Sequence, residues 1–220
     1  TECSLGNPRS RHVSRLDQYS PAPSSLGDMP EIELPITTDR LILRRFEAED
    51  LDRFHGYQSL PETARFLLRN ELTRTKSMEV LGRYANFEFN QEGDWICLAI
   101  ERKDHPGLMG EVVLKWLEGT GQAEVGWILH PDAQGHGIAT EAAEAVLRLA
   151  FETLSFHRVD AKLDALNEGS AGIAKRLGMR LEATLVDNWH YKGQWATENI
   201  YAILDSEWRT RHHPWTRTIN

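Results

Sequence analysis

Cysteine is scarce in this 220-residue chain, and Cys3 and Cys97 are the only two. Neither a disulfide framework nor a cysteine-based zinc site can be built from that pair. A basic surplus is also missing: 25 Lys and Arg stand against 33 Asp and Glu, a formal net charge of −8. That balance argues against a general nucleic-acid binder, because phosphate contacts need a basic footprint. No apolar run approaches the roughly 20 residues that span a bilayer, and the start carries no signal-peptide pattern. The expectation is a cytoplasmic protein with no membrane partner. The nine His show no metal-ligand spacing, so no metal is expected. What is present, 40% hydrophobic and 9% aromatic residues, excludes a wholly disordered polymer.

Three regions follow from composition. Residues 1–33 hold Pro8, Pro21, Pro23 and Pro30 among scattered serines, with few apolar residues and no period, and read as an extended arm. Residues 34–208 carry the periodic patterns of one folded domain, and 209–220 read as a polar tail. A second copy of the chain is the partner that such an arm would clasp.

Within the domain, strands are expected over 38–46, 95–100, 108–117, 122–129, 157–166, 180–184 and 198–204. The 95–100 run is apolar throughout, as in a strand covered on both faces. Helices are expected over 47–58, 61–68, 77–90 and 167–177, the last ended by Gly178. A longer helix follows residue 138, with Ala139, Ala142, Ala143, Val146, Ala150 and Leu154 on one face. Alternation without an internal repeat gives one α/β or α+β domain.

The chemistry concentrates in His130-Pro131-Asp132-Ala133-Gln134-Gly135-His136-Gly137-Ile138-Ala139-Thr140, between a strand and an amphipathic helix. Gly135 and Gly137 leave backbone N–H groups uncovered, and the helix N-terminus adds partial positive charge. Together these form an anion site that needs no basic side chain. A dinucleotide fingerprint would require Gly at position 140, which is Thr, and the Gly-Lys-Ser/Thr ending of a P-loop is missing.

The pattern Gln134-x-x-Gly137-x-Ala139 resembles the GNAT superfamily of acyl-CoA N-acyltransferases, specifically the branch like the Rim-type ribosomal-protein acetyltransferases. "TTDRLILRRF" is similar to the family's opening strand, "AEVGWILHPDAQGHGIATEA" to its fourth strand, pyrophosphate loop and helix, "NEGSAGIAKRLGM" to the helix beside the coenzyme arm, and "KGQWATENIYAIL" to its closing hairpin. The resemblance runs from about 37 to 208. It implies a mixed, largely antiparallel sheet of six to seven strands, splayed between the fourth and fifth, with helices on both faces.

The same resemblance implies acetyl-CoA as acyl donor and a primary amine as acceptor, joined by direct attack. Gln134, Gly135, His136, Gly137, Ile138, Ala139 and Thr140 would hold the pyrophosphate, and Ile128, Leu129 and His130 the pantetheine arm. Asn167 would contact the cofactor, and Ser170 would touch it and protonate the departing thiolate; the residue pattern alone also fits a helix cap. Removing the amine's proton needs a base; Glu124 is the first candidate and Glu111 the second. Residues 187–191 would meet the acceptor, with Trp189 and Trp195 lining a pocket. Trp95, Trp116 and Trp127 read as core, Cys97 as a small buried hydrophobe, and Lys175 and Arg176 as solvated helix charges. The competing reading is a GNAT-fold acyl-CoA sensor without turnover.

Overall fold

The computed structural model describes residues 30–119 and 121–212; most of the expected arm, residues 1–29, with residue 120 and residues 213–220, lies outside the described residues. The architecture is one eight-stranded sheet: β1 (Ile36–Thr37), β2 (Leu41–Arg44), β3 (Trp95–Arg102), β4 (His105–Trp116), β5 (Gln122–Leu129), β6 (Arg158–Asp164), β7 (Arg180–Tyr191) and β8 (Gln194–Leu204). Their order is β1-β2-β3-β4-β5-β6-β8-β7. Every pairing is antiparallel except β5 with β6. The short β1 raises the strand number above the expected six to seven, so the expected fourth strand is β5.

Helices flank both faces because strand residues alternate between two apolar environments. On β3, Ile96, Leu98 and Ile100 join one core, while Cys97 and Ala99 join the other. The first core is covered by α4 (Ile138–Arg148), whose Ala139, Ala142, Ala143 and Val146 are all buried. Small side chains there let the helix lie close to the sheet. The second core lies under α1 (Leu51–Gln58) and α3 (Arg74–Ala85), through Phe54, Tyr57, Val80 and Leu81.

Several boundaries differ from expectation for local reasons. The stretch after Pro61 is helical only over α2 (Pro61–Ala64). Helix α3 starts three residues earlier than residue 77, because Thr73 caps it by accepting from the Lys76 N–H, and it stops at Ala85. Strand β7 runs on through 187–191, a segment expected to precede the hairpin rather than form it. The expected tail begins inside a helix: α6 (Asp205–His212) buries Trp208 in the first core and ties its indole to Glu152 at 3.0 Å. Among the described residues, no helix is long and apolar enough to cross a membrane.

Candidate active site

Strands β5 and β6 stay paired for three residues only, Gln122 with Arg158, Ala123 with Val159 and Glu124 with Asp160. Beyond that they part. Backbone groups alternate along a strand, and the N–H of His130 bonds to the Met109 carbonyl of β4 at 2.9 Å. By the same alternation the groups of Trp127 and Leu129 face the gap. The N–H of His130, a residue expected on the pantetheine arm, belongs to the β4 ladder, whereas those of Trp127 and Leu129 face the opening.

Where β5 ends, Gly110 lets β4 approach closely. Its φ is +153°, and a Cβ there would stand 2.3 Å from the Ile128 oxygen and 2.8 Å from the Leu129 Cα. The loop that follows turns on two left-handed glycines, Gly135 at φ +79° and Gly137 at φ +75°, the latter capping α4. The loop is braced from behind: Arg40 donates to the His136 carbonyl at 3.1 Å and to Glu141 in the first turn of α4 at 2.6 Å. Thr38 adds a 2.6 Å bond to the same carboxylate, so the turn before β2 holds the helix mouth in place.

The gap opens into a cleft of about 820 Å³. Of the residues expected to hold the coenzyme, Ile128, Leu129, Gln134, Gly135, Gly137, Ile138, Ala139, Thr140, Asn167 and Ser170 line it; His130 and His136 do not. Asn167 caps α5 (Glu168–Arg176) by accepting from the Ser170 N–H at 3.0 Å. Its oxygen is thereby engaged, and only its amide N–H groups remain to donate. Ser170 Oγ accepts from the Trp127 indole at 3.2 Å. Trp127 is thus a half-buried wall of the cleft that also packs against the first core, where the sequence pattern placed it. Arg176, expected as a solvated charge, also lines the cleft and donates to Thr140 Oγ1 at 3.2 Å.

The two candidate bases have different surroundings. Neither lines the cleft; Glu124 pairs with Lys162 on β6 at 2.9 Å. Glu111 is buried on β4, directly opposite Ile128 of β5. Its Oε2 accepts from Tyr57 at 2.6 Å and from Gln58 at 2.9 Å, both on α1. Burial pushes the Glu111 carboxyl up to about 7, against the pull of those two bonds and of Arg69. Cys97, beneath the same helix, is buried, and burial with the neighbouring Glu111 raises its thiol well above the ordinary range. A thiolate nucleophile is therefore disfavoured there.

The far wall is the segment Glu62–Leu67, which contributes Glu62, Thr63, Arg65, Phe66 and Leu67. The β7–β8 hairpin reaches it: Lys192 at the hairpin tip donates to the Ala64 carbonyl at 2.8 Å. Trp189 and Trp195 are exposed on the hairpin and are not among the cleft-lining side chains. Trp189 and Asn188 instead donate to Glu198 on β8. The roles of Trp127, Arg176 and the 62–67 wall depend on where β5 leaves β6, for which no local residue pattern codes.

This arrangement of a half-paired parallel strand, a glycine loop and a helix mouth defines a class. Residues 40–180 match the model of the acetyltransferase (GNAT) domain. The uncharacterized N-acetyltransferase YnaD of Bacillus subtilis is 30% identical over 173 residues, which span 79% of this chain and 98% of that protein. The [ribosomal protein uS5]-alanine N-acetyltransferase of Escherichia coli is 27% identical over 189 residues, spanning 83% and 95%. A solved GNAT-family acetyltransferase from Bacillus anthracis superposes with a TM-score of 0.71 at 25% identity, covering 78% of this chain and 99% of that one. The chain belongs to the GNAT family, and it is an acyl-CoA-dependent N-acetyltransferase.

Proposed function

We propose that the chain transfers an acetyl group from acetyl-CoA to a primary amine in a ternary complex, and that it belongs to the Rim-type branch with a protein N-terminus as acceptor. The observation that carries this is the parting of β5 from β6 after Glu124 and Asp160, which ends at the left-handed glycines of the α4 mouth. The residues present suit the donor. Backbone groups at Trp127 and the Leu129 N–H can pair with an extended amide-bearing arm, the loop 134–139 can hold a diphosphate, and Arg176 adds a cation beside Thr140.

Glu111, buried behind the cleft wall and reached through water, is the general base in this reading, and the Leu129 N–H is the donor to the thioester oxygen. An α-amino group has an ordinary pKa near 7.7–8.0, against about 10.4 for a lysine side chain. A base near 7 is better matched to the former. Similarity to the uS5-alanine enzyme across 83% of the chain supports the same acceptor class.

The test is thiol release from acetyl-CoA over an amine panel: alanine-starting peptides, a polyamine, an amino sugar and free lysine. Turnover with the peptides is the expected result. Turnover confined to a small amine would remove the N-terminal reading. Firm coenzyme binding with every amine inert would leave the sensor reading in its place.

A further inference from the structure

We infer that Trp127 is a positioning residue that fixes the Ser170 hydroxyl as a hydrogen-bond donor to the departing sulfur, an inference that rests on the acetyltransferase reading above. An indole nitrogen can only donate, so in the 3.2 Å contact between Trp127 Nε1 and Ser170 Oγ the serine oxygen must accept. Its own proton is then directed away from the indole. The serine backbone is fixed independently, because its N–H is held by Asn167 Oδ1 at 3.0 Å in the first turn of α5.

Two anchors from opposite sides of the gap thus locate one hydroxyl. The indole comes from β5, in the stretch no longer paired with β6, and the serine from the helix across it. Both side chains line the cleft. The indole also packs its ring against the first core, which limits its freedom to turn.

The chemistry balances as follows. The amine nitrogen bonds to the carbonyl carbon, and the C–S bond breaks with its electron pair leaving on sulfur. Ser170 gives its hydroxyl proton to that sulfur and recovers one from water, and the proton lost by the amine passes through water to Glu111 and from there to the hydroxide so formed. A hydroxyl that accepts from the indole is biased toward donation before the substrate arrives.

The test uses coenzyme A itself and needs no acceptor. The full chain is loaded with coenzyme A, and the thiol pKa of the bound coenzyme is read from thiolate absorbance for the wild type, Trp127→Phe, Ser170→Ala and the double variant. Phenylalanine keeps an aromatic ring in the wall and removes the N–H. The expected result is a bound thiol more acidic in the wild type than in either single variant by roughly one unit, the worth of one hydrogen bond to a charged group. The double variant should match Ser170→Ala, with coenzyme affinity changed less than about threefold throughout.

A Trp127→Phe protein that titrates like the wild type would overturn the inference, as would a double variant that adds the two shifts. Ser170→Ala titrating like the wild type would strike the role of Ser170 instead, and no coenzyme binding at all would strike the acetyltransferase reading. If Trp127→Phe does not fold, Trp127→Leu, which also lacks a donor, is read by the same criteria.

Discussion

Glu111 and Ile128 face each other across the β4–β5 ladder, so a buried carboxylate sits beside the strand whose next residue, Leu129, opens on the gap. No cation forms an ion pair with that carboxylate among the described residues; Tyr57 and Gln58 hold it with neutral donors. Glu124 sits further back on the same face of the sheet, opposite Lys115, and is paired with Lys162. The first is suited to take up a proton near neutrality, and the second to remain an ion.

Activity should therefore follow Glu111. With a pKa of about 7, the carboxylate is the minority form in mild acid, so kcat should rise with pH and level off above about 8. Glu111→Gln should lower kcat by a factor on the order of 10² to 10⁴ and abolish that rise. Glu124→Gln should leave the pH profile in place. A Glu111→Gln enzyme with an unchanged profile would remove the assignment.

Stability should report the same group. Its folded pKa of about 7 lies above the ordinary 4.5, so the folded state binds more protons than the unfolded one between those values. Stability from this group is fully present below about pH 4.5 and is lost as pH rises through 7. The shift corresponds to roughly 3 kcal/mol. Glu111→Gln should flatten this decline, so that its melting temperature relative to wild type is higher at pH 8 than at pH 4.5. Parallel melting curves across that range would contradict it.

Much of this was legible locally. The doubly apolar β3, the small-residue face of α4, the left-handed glycines of the loop and the Asn167 cap all depend on neighbours within a few positions. The choice between Glu111 and Glu124 was not. Both lie on one sheet face, and what separates them is that α1 covers the first while Lys162, on a strand paired through long-range contacts, meets the second. Trp127 was legible only in part for a similar reason: its parity along β5 points to the core it does pack against, and only the departure of β6 makes it a wall of the cleft as well.

Gly110 should tolerate no side chain. An added Cβ would meet backbone atoms of Ile128 and Leu129, which cannot yield as a flexible side chain would. Gly110→Ala must push β5 away from β4 where Leu129 faces the gap. The expected outcome is a loss of a few kcal/mol in chemical denaturation and coenzyme binding weakened at least tenfold. Wild-type affinity in this variant would show that the close approach of the two strands does not set the site.

The brace behind the loop gives the last prediction. Glu141 accepts from Thr38, from the Arg40 N–H and from the Arg40 guanidinium, which also reaches the His136 carbonyl. These bonds join the turn before β2 to the helix mouth, and these partners hold Glu141 below the ordinary carboxylate range. The Arg40 side chain is about half exposed, so its pair with Glu141 contributes on the order of 1 kcal/mol or less to folding. Its larger effect should fall on the loop, since a carbonyl released at His136 lets the adjacent Gly135 and Gly137 turn their N–H groups away from an anion. Arg40→Met should therefore weaken coenzyme A binding about fivefold to tenfold in a calorimetric titration while lowering the melting temperature by only a few degrees. Dephospho-coenzyme A, which keeps the diphosphate and lacks the ribose phosphate, should show the same loss, because the defect lies at the diphosphate. A loss seen with coenzyme A and not with the dephospho form would place the effect of Arg40 elsewhere.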